Sequence, residues 1–188
     1  MTSTKIREIL QTIDRDRSNL LSAVEGLQPG QLGHRELPEA WSIEDVLHHL
    51  ALADESSAKL MALMLRRARE ESLPPDPSPD RSVLDSIDEV VARAENQKAK
   101  APDRVTPRSR IEVEESLSRL RLSRDKIETT VEALSAFDLS LLTFPHPFFG
   151  ELNTYQWLLV TGWHERRHTR QIERVKSSPG FPGGAIST

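Results

Sequence analysis

Two histidines near the carboxyl end of the chain have the spacing of a metal-binding pair. His164 and His168 lie four residues apart in the segment 157–175, which reads WLLVTGWHERRHTRQIERV. On an α-helix, residues at this spacing lie on one face, one turn apart. The same face carries apolar residues, so both imidazoles are predicted to point into the protein. The commonest reason to place two imidazoles together in a protein interior is a bound divalent metal ion.

A third ligand is predicted upstream, on the second of the long helices. His49 falls on the apolar seam of that helix, whereas His48 is rotated by about 100° and stays the competing candidate. Three neutral imidazoles leave coordination positions open for water or substrate, as catalytic sites require. His146, in a Pro-His-Pro context, could also approach the site. His34 is predicted to lie solvated in a loop.

Residues 164–168 also match HExxH, the motif of zinc metalloproteases. Such enzymes need a third ligand, usually well downstream of the second histidine. Only 20 residues follow His168, they contain no histidine, and their sole carboxylate is Glu173. Glu165 points about 100° away from His164 on a helix, so we do not assign it a role as general base. The sequence therefore argues against a metalloprotease.

Composition excludes several other classes. The 188-residue chain has no cysteine, which rules out disulfides, cysteine–zinc sites, iron–sulfur clusters and a cysteine nucleophile. Its net charge of −4 does not indicate a nucleic-acid partner. No apolar run approaches the length of a membrane span, and the polar N-terminus does not resemble a signal peptide. We therefore expect a cytoplasmic protein with no membrane or nucleic-acid partner.

Hydrophobic periodicity predicts four long amphipathic helices and one short helix. The long helices cover about residues 4–27, 42–69, 111–134 and 154–176, and the short one covers 83–97. Ser42 is the predicted cap of the second long helix, and Asn153 or Thr154 caps the last one. Irregular connections are predicted over 28–40, 73–81, 98–110 and 135–152, and no segment has a strand pattern. These elements predict an all-α four-helix bundle, with a single domain over 1–176 and a flexible tail over 177–188.

Several charged residues near the predicted site have two interpretations. Asp54 and Glu55 could orient a ligand imidazole or take a proton, or they could be solvated charges. Arg124 interrupts the apolar seam of the third long helix, which favours a buried ion pair over a contact with a substrate carboxylate. The outer face of the last helix is predicted to carry Arg166, Arg167 and Arg170.

Three blocks of this sequence, in this order, resemble the DinB-like superfamily, which includes the YfiT-like metal-dependent enzymes. The blocks are WSIEDVLHHL, HPFFGELNTYQWL and HERRHTRQIERV. The residues at the family's motif positions are Trp41, Ser42, His49, His146, Gly150, His164, His168 and Gln171. The resemblance covers about residues 5–176. It implies an up-down-down-up bundle, a Zn²⁺ or Ni²⁺ site, frequent homodimers, and chemistry like that of transferases and isomerases that use glutathione, mycothiol or bacillithiol.

We therefore expect a metal-dependent enzyme acting on a small-molecule substrate, with His49, His164 and His168 as ligands of Zn²⁺ or Ni²⁺. A divalent ion on neutral ligands lowers the pKa of a coordinated water or thiol. A hydrolase and an S-transferase that uses a low-molecular-weight thiol both fit this chemistry. The alternative is a non-catalytic, stress-associated binding protein whose metal is structural and is closed off by a fourth protein ligand, such as His146.

Overall fold

Four long α-helices form a bundle in this computed structural model, which describes residues 3–95 and 101–183. The helices of the described residues are α1 (Thr4–Val24), α2 (Pro29–Leu32), α3 (Ile43–Glu70), α4 (Asp88–Glu95), α5 (Val113–Leu134) and α6 (Thr154–Lys176). The long ones are α1, α3, α5 and α6, as predicted, and each matches its predicted range to within a few residues. Within the described ranges, no helix combines the length and apolar character needed to cross a bilayer.

Helices α1 and α6 run parallel to each other. Near their starts, the Lys5 ammonium lies 4.7 Å from the centroid of the Tyr155 ring. Near their ends, Lys176 donates a hydrogen bond of 3.0 Å to the carbonyl of Ala23. Because both contacts join like ends, the first and last helices of the bundle point in the same direction.

Helices α3 and α5 form the second parallel pair, which runs opposite to the first. At the start of α3, Glu44 lies 3.3 Å from Arg110, three residues before α5, and further along Glu55 lies 3.9 Å from Arg119 on α5. Both helices therefore advance in the same direction. Between the pairs, Arg17 of α1 donates to the carbonyl of Leu120, whereas Asp14, one turn earlier on α1, lies 3.3 Å from Arg124, one turn later on α5. This reversed order makes α1 and α5 antiparallel. The up-down-down-up topology implied by the resemblance is therefore confirmed.

Reciprocal hydrogen bonds cap the N-termini of the two helices that carry the candidate site. At α3, the Asp45 N–H donates to Ser42 Oγ, while the Ser42 N–H donates to a carboxylate oxygen of Asp45. At α6, the Gln156 N–H donates to Asn153 Oδ1, and the Asn153 N–H donates back to Gln156 Oε1. These pairs satisfy backbone donors that have no partner within a helix. Ser42 is therefore confirmed as a cap, and Asn153 is the cap of the last helix.

The bundle core consists of two apolar clusters with a layer of charged side chains between them. The charged layer is Arg17, Asp54, Arg124 and Glu165, one residue from each long helix, and all four are buried. On α3, for example, residues 43–51 belong to one cluster and residues 58–68 to the other. Buried charges at this depth are tolerable only when each has an oppositely charged partner.

Gly162 brings α6 unusually close to α1. A Cβ atom built on Gly162 would lie 2.9 Å from Ile13 Cγ2 and 3.2 Å from Ile13 Cα. The second distance involves backbone, which cannot move aside as the end of a flexible side chain can. A residue larger than glycine would therefore push the two helices apart.

Overpacking in the Gly162→Ala variant should cost about 1–3 kcal/mol of unfolding free energy, and the preference of a helix interior for alanine should return about 1 kcal/mol. The variant is therefore expected to be less stable than wild type by about 1 kcal/mol, and by up to about 2 kcal/mol. Urea denaturation of the variant and wild type measures the difference. Gly30→Ala is the matched control, because no atom lies within 4 Å of the Cβ position at Gly30. Equal stability of Gly162→Ala and wild type would contradict the close approach.

The prediction that no strand occurs is wrong. Strands β1 (Thr143–His146) and β2 (Gly150–Asn153) form an antiparallel hairpin in which His146 pairs with Gly150. Gly150 has a φ of +72°, a conformation that glycine adopts without strain. Four residues are too few to show a clear alternation, and Pro145 inside β1 further obscured the pattern.

The other connections are more ordered than predicted. The 28–40 segment contains α2. The predicted short helix begins as a 3₁₀ turn, Leu84–Ile87, and continues as α4. Residues 96 and 97 of the range predicted for the short helix lie outside the described residues. In the predicted basic loop, residues 98–100 also lie outside them, while Asp103–Val105 forms a 3₁₀ turn. In the predicted tail, residues 184–188 lie outside the described part of the chain. His34 is not fully solvated, because it lies 3.0 Å from Ser178 Oγ and packs edge-on against Phe181.

Candidate metal centre

Three imidazoles from two antiparallel helices meet inside the bundle. Helix α3 supplies His49, and α6 supplies His164 and His168. The Nε2 atoms of His49 and His168 each lie 3.1 Å from Nε2 of His164. One candidate ligand atom from each residue lies within 4.8 Å of the other two. The structure therefore brings together the three residues predicted from sequence, which we call the histidine trio.

Neighbouring carbonyl groups orient two rings of the histidine trio. Nδ1 of His49 lies 2.7 Å from the backbone carbonyl oxygen of Val105, and Nδ1 of His168 lies 2.7 Å from Gln171 Oε1. A carbonyl oxygen can only accept a hydrogen bond, so both Nδ1 atoms carry the proton. The Nε2 atoms of these neutral rings then present lone pairs toward His164. This arrangement is typical of imidazoles that bind a metal through Nε2.

The histidine trio has more lone pairs at its centre than protons to satisfy them. The Nε2 atom of His164 can donate to only one of its two neighbours. Burial lowers the pKa of all three histidines, to about 3 for His168, so an additional proton is disfavoured. In a tetrahedral zinc site, bonds of about 2.0–2.1 Å place the nitrogens about 3.3 Å apart, close to the two distances of 3.1 Å that join His164 to the other rings. The donor set therefore fits a divalent ion that accepts imidazole ligands.

The other candidate histidines occupy different positions. His48 is buried on α3 but does not belong to the histidine trio. His146 lines the adjoining cavity, where its ring stacks on Phe149 and packs against Trp157. The Phe148 N–H donates to His146 Nδ1, so the proton of the neutral ring lies on Nε2. Burial, followed by the charge of Arg104, lowers the pKa of His146 to about 4.

A cavity of about 850 Å³ opens beside the histidine trio. This volume lies within the range of small-molecule binding sites. Residues of α3 and α6 line the cavity, and much of its wall is aromatic, supplied by α6, the hairpin and the residue before the Ser42 cap. The aromatic residues are Trp41, Phe144, Phe148, Phe149, Trp157 and Trp163. All three histidines border this space, so a ligand in the cavity could reach them.

The charged layer lies beside the site without facing the centre of the histidine trio. Glu165 is fully buried and accepts hydrogen bonds from Arg17 at 2.6 Å and from Arg124 at 3.0 Å. It does not line the cavity, in agreement with the direction predicted for it. Arg124 forms the buried ion pair that its position in the seam predicted.

The structure contradicts two interpretations of Asp54 drawn from the sequence and leaves the third, that it takes a proton, as a prediction. Its buried carboxylate accepts a hydrogen bond from Arg17 and borders the cavity, so it is neither solvated nor bonded to an imidazole. Burial and the nearby charge of Glu165 raise the pKa of Asp54 to about 7. Glu55 is half-buried and faces Arg119 on α5.

The prediction for the arginines of α6 is wrong for one of the three. Arg166 lies 3.8 Å from Asp16, and Arg170 is exposed. Arg167 instead borders the cavity, with its guanidinium 5.6 Å from the centroid of the Trp163 ring. These two residues are four apart on the helix, so they share a face. That spacing was the signal in the sequence that places Arg167 toward the site.

Solved structures with the same fold are known. TT2238, described as a four-helix bundle protein, matches with a TM-score of 0.59 and 24% identity, over 90% of this chain and 98% of that one. YfiT from Bacillus subtilis matches with a TM-score of 0.59 and 19% identity, over 94% of this chain and 89% of that one. YfiT is described as a "probable metal-dependent hydrolase with an unusual four-helix bundle topology".

The fold is that of these four-helix-bundle proteins, and the histidine trio lies inside it as a possible metal-binding group. The model of the DinB superfamily matches residues 12–172, and the chain belongs to that superfamily. The uncharacterised protein YuaE of Bacillus subtilis is 28% identical over 154 residues, which cover 81% of this chain and 88% of YuaE. The family resemblance carried by the three sequence blocks is thus confirmed.

Proposed function

We propose that this protein is a metal-dependent enzyme acting on a small organic molecule, with a divalent ion held by His49, His164 and His168. One observation carries the proposal: three Nε2 atoms converge beside a cavity, and the tautomers of two rings are fixed so that lone pairs face the centre. The description of YfiT supports hydrolysis as the reaction class. Zn²⁺ and Ni²⁺ are the proposed metals, because both accept imidazole ligands.

A divalent ion bound there would act as a Lewis acid, which eases formation of a nucleophile from water or a thiol near neutral pH. The chain itself would bind and orient the substrate. The aromatic walls exclude water from its apolar part, and the Nε2–H of His146 can donate a hydrogen bond to a substrate oxygen. Because burial keeps His146 neutral, it is a hydrogen-bond donor of fixed direction rather than a cation.

Transfer to or from a low-molecular-weight thiol is the second candidate reaction. The chain has no cysteine, so any thiol would enter the cavity as a co-substrate. The non-catalytic alternative requires a fourth protein ligand that closes the site. Among the described residues, the group of potential ligands contains only the histidine trio, and the cavity adjoins it, which favours an enzyme. Homodimerisation stays a prediction.

Metal analysis of purified protein tests the proposal. Wild type loaded with Zn²⁺ or Ni²⁺ should hold close to one ion per chain after desalting, and His49→Ala, His164→Ala and His168→Ala should each lose it. His34→Ala and His48→Ala are the matched controls and should retain the ion, because neither residue belongs to the trio. Failure of wild type to hold an ion after loading would overturn the proposal. A screen of esters and amides, with and without added thiols, then separates hydrolysis from transfer.

A further inference from the structure

Three cationic side chains border the cavity beside the histidine trio. They are Lys59 on α3, Arg104 on the turn Asp103–Val105, and Arg167 on α6. Within residues 3–95 and 101–183, no carboxylate forms an ion pair with any of the three. Other arginines of the same region are paired, as Arg108 is with Asp103 at 3.3 Å. The cations at the cavity therefore remain available to a ligand.

The charge of the cavity is opposite to that of the whole chain. The chain has a net charge of −4, but among the described residues only Asp54 and Glu39 contribute carboxylates to the cavity wall. Asp54 is neutralised by its ion pair with Arg17, and Glu39 is exposed. Three unpaired cations thus face one unpaired carboxylate. Clefts with apolar walls and an excess of one charge concentrate ligands of the opposite charge.

Both guanidinium groups line the cavity that the histidine trio borders. Arg167 lies between His164 and His168 on α6. Arg104 directly precedes Val105, whose carbonyl oxygen lies 2.7 Å from His49 Nδ1. Stacking over the Trp163 ring leaves the N–H edge of Arg167 available. A planar guanidinium edge matches a carboxylate, with which it can form two parallel hydrogen bonds.

We propose that the cavity takes an organic acid, whose aromatic or branched apolar body packs on the aromatic wall and whose carboxylate is bound by Arg104 and Arg167. This inference rests on the proposed function for the reaction at the histidine trio, and it adds the class of substrate. The carboxylate is a binding group, separate from the group that reacts. Lys59, which also lines the cavity, adds positive charge there.

Ligand titrations followed by NMR test the inference in the full-length protein. The probes are 3-phenylpropanoate, 3-phenylpropane-1-sulfonate and the neutral 3-phenylpropan-1-ol, which share one apolar body. In metal-free wild type, 3-phenylpropanoate should bind about tenfold more tightly than the alcohol, the effect of one charge-assisted hydrogen bond. Sulfonate should lie between them if planar pairing contributes, and should equal carboxylate if charge alone does. Both of these results support an anion site, whereas equal affinity for all three probes overturns it.

Variants locate the effect. Arg104→Gln and Arg167→Gln should each reduce the preference for the acid, and the double variant should abolish it. Arg167→Lys should retain part of the preference, because it keeps the charge but not the planar edge. Arg108→Gln, an arginine of the same connection that does not line the cavity, is the matched control and should behave as wild type. A preference that survives in the double variant overturns the inference.

The same titrations keep this inference separate from the proposed function. Because metal-free protein holds no metal ion that could attract the acid, this comparison measures only the effect of the cationic side chains. Repeating it after loading with Zn²⁺ tests the trio independently. If the protein prefers the acid but binds no Zn²⁺, the proposed function is wrong and the anion site is supported. If the protein binds Zn²⁺ but shows no preference for the acid, the metal site is supported and the anion site is wrong.

Discussion

Saturating Zn²⁺ should raise the unfolding free energy of this protein by about 4 kcal/mol when free Zn²⁺ is a thousandfold above the dissociation constant. An ion that binds only the folded state stabilises it, and the unfolded chain has no cysteine that could compete for the metal. Thermal and urea denaturation with and without Zn²⁺ measure the gain. It should vanish in His164→Ala, whose Nε2 contacts both other rings. Mg²⁺ is the control ion and should have no effect, because it prefers oxygen ligands.

This gain should also persist at mildly acidic pH. Free imidazole is half protonated near pH 6.5, and protons then compete with metal. In the folded protein, burial lowers the pKa of His168 to about 3 and lowers that of His49 and His164 as well, so the ligands stay neutral without metal. The stabilisation measured at pH 6 should therefore be close to that at pH 7.5. A gain that disappears at pH 6 would contradict ligands that are buried and neutral in the folded protein.

Replacing Arg17 by methionine should cost about 3–5 kcal/mol of unfolding free energy, the usual effect of removing one partner from a buried ion pair. Arg17 donates to Asp54, Glu165 and the Leu120 carbonyl, and its side chain is only 8% exposed. Its loss leaves the Asp54 carboxylate buried without its cation. Urea denaturation of Arg17→Met and wild type measures the cost. Arg15→Met is the control, because Arg15 is 64% exposed and its removal should change stability by no more than about 0.5 kcal/mol.

The cost of Arg17→Met should depend on pH in a definite direction. Burial and Glu165 already raise the pKa of Asp54 to about 7, and removal of a nearby cation raises it further. A carboxyl whose folded-state pKa is raised stabilises the fold while protonated and loses that contribution as the pH rises through the raised pKa. The difference between variant and wild type should therefore be larger at pH 8 than at pH 6. A loss below about 1 kcal/mol at both values would show that the charged layer adjusts without Arg17.

The helices and the histidine trio were predictable because their signals are local. The pairing of Ser42 with Asp45 marks the start of α3 within four residues, and the spacing of His164 and His168 fixes a shared face at any position on a helix. His49 could be preferred to His48 because the apolar seam of α3 passes through only one of them. Periodicity thus places side chains on faces, and the packing of faces brings the trio together.

The remaining parts of the site depend on contacts between distant segments, which periodicity does not describe. The carbonyl oxygen that orients His49 belongs to Val105, 56 positions away in the chain. Because it is a backbone atom, any residue type could supply it, so the sequence carries no signal for this contact. The hairpin that carries His146 has strands of four residues, too short for a pattern. Arg17 lay in a run of charges, and only its spacing from Ile13 and Leu20 shows that it belongs to the buried face of α1.

The parallel pairing of α1 with α6 determines when a newly made chain can complete its core. Synthesis proceeds from the N-terminus at about 5–20 residues per second, so roughly ten seconds separate the completion of α1 from the appearance of α6. During that interval Ile6, Ile9 and Ile13 lack the surface of α6 that covers them, and only one imidazole of the trio exists. The nascent chain therefore exposes the apolar face of α1 during this interval. The proposed metal site can form only after α6 has been made and has packed into the bundle.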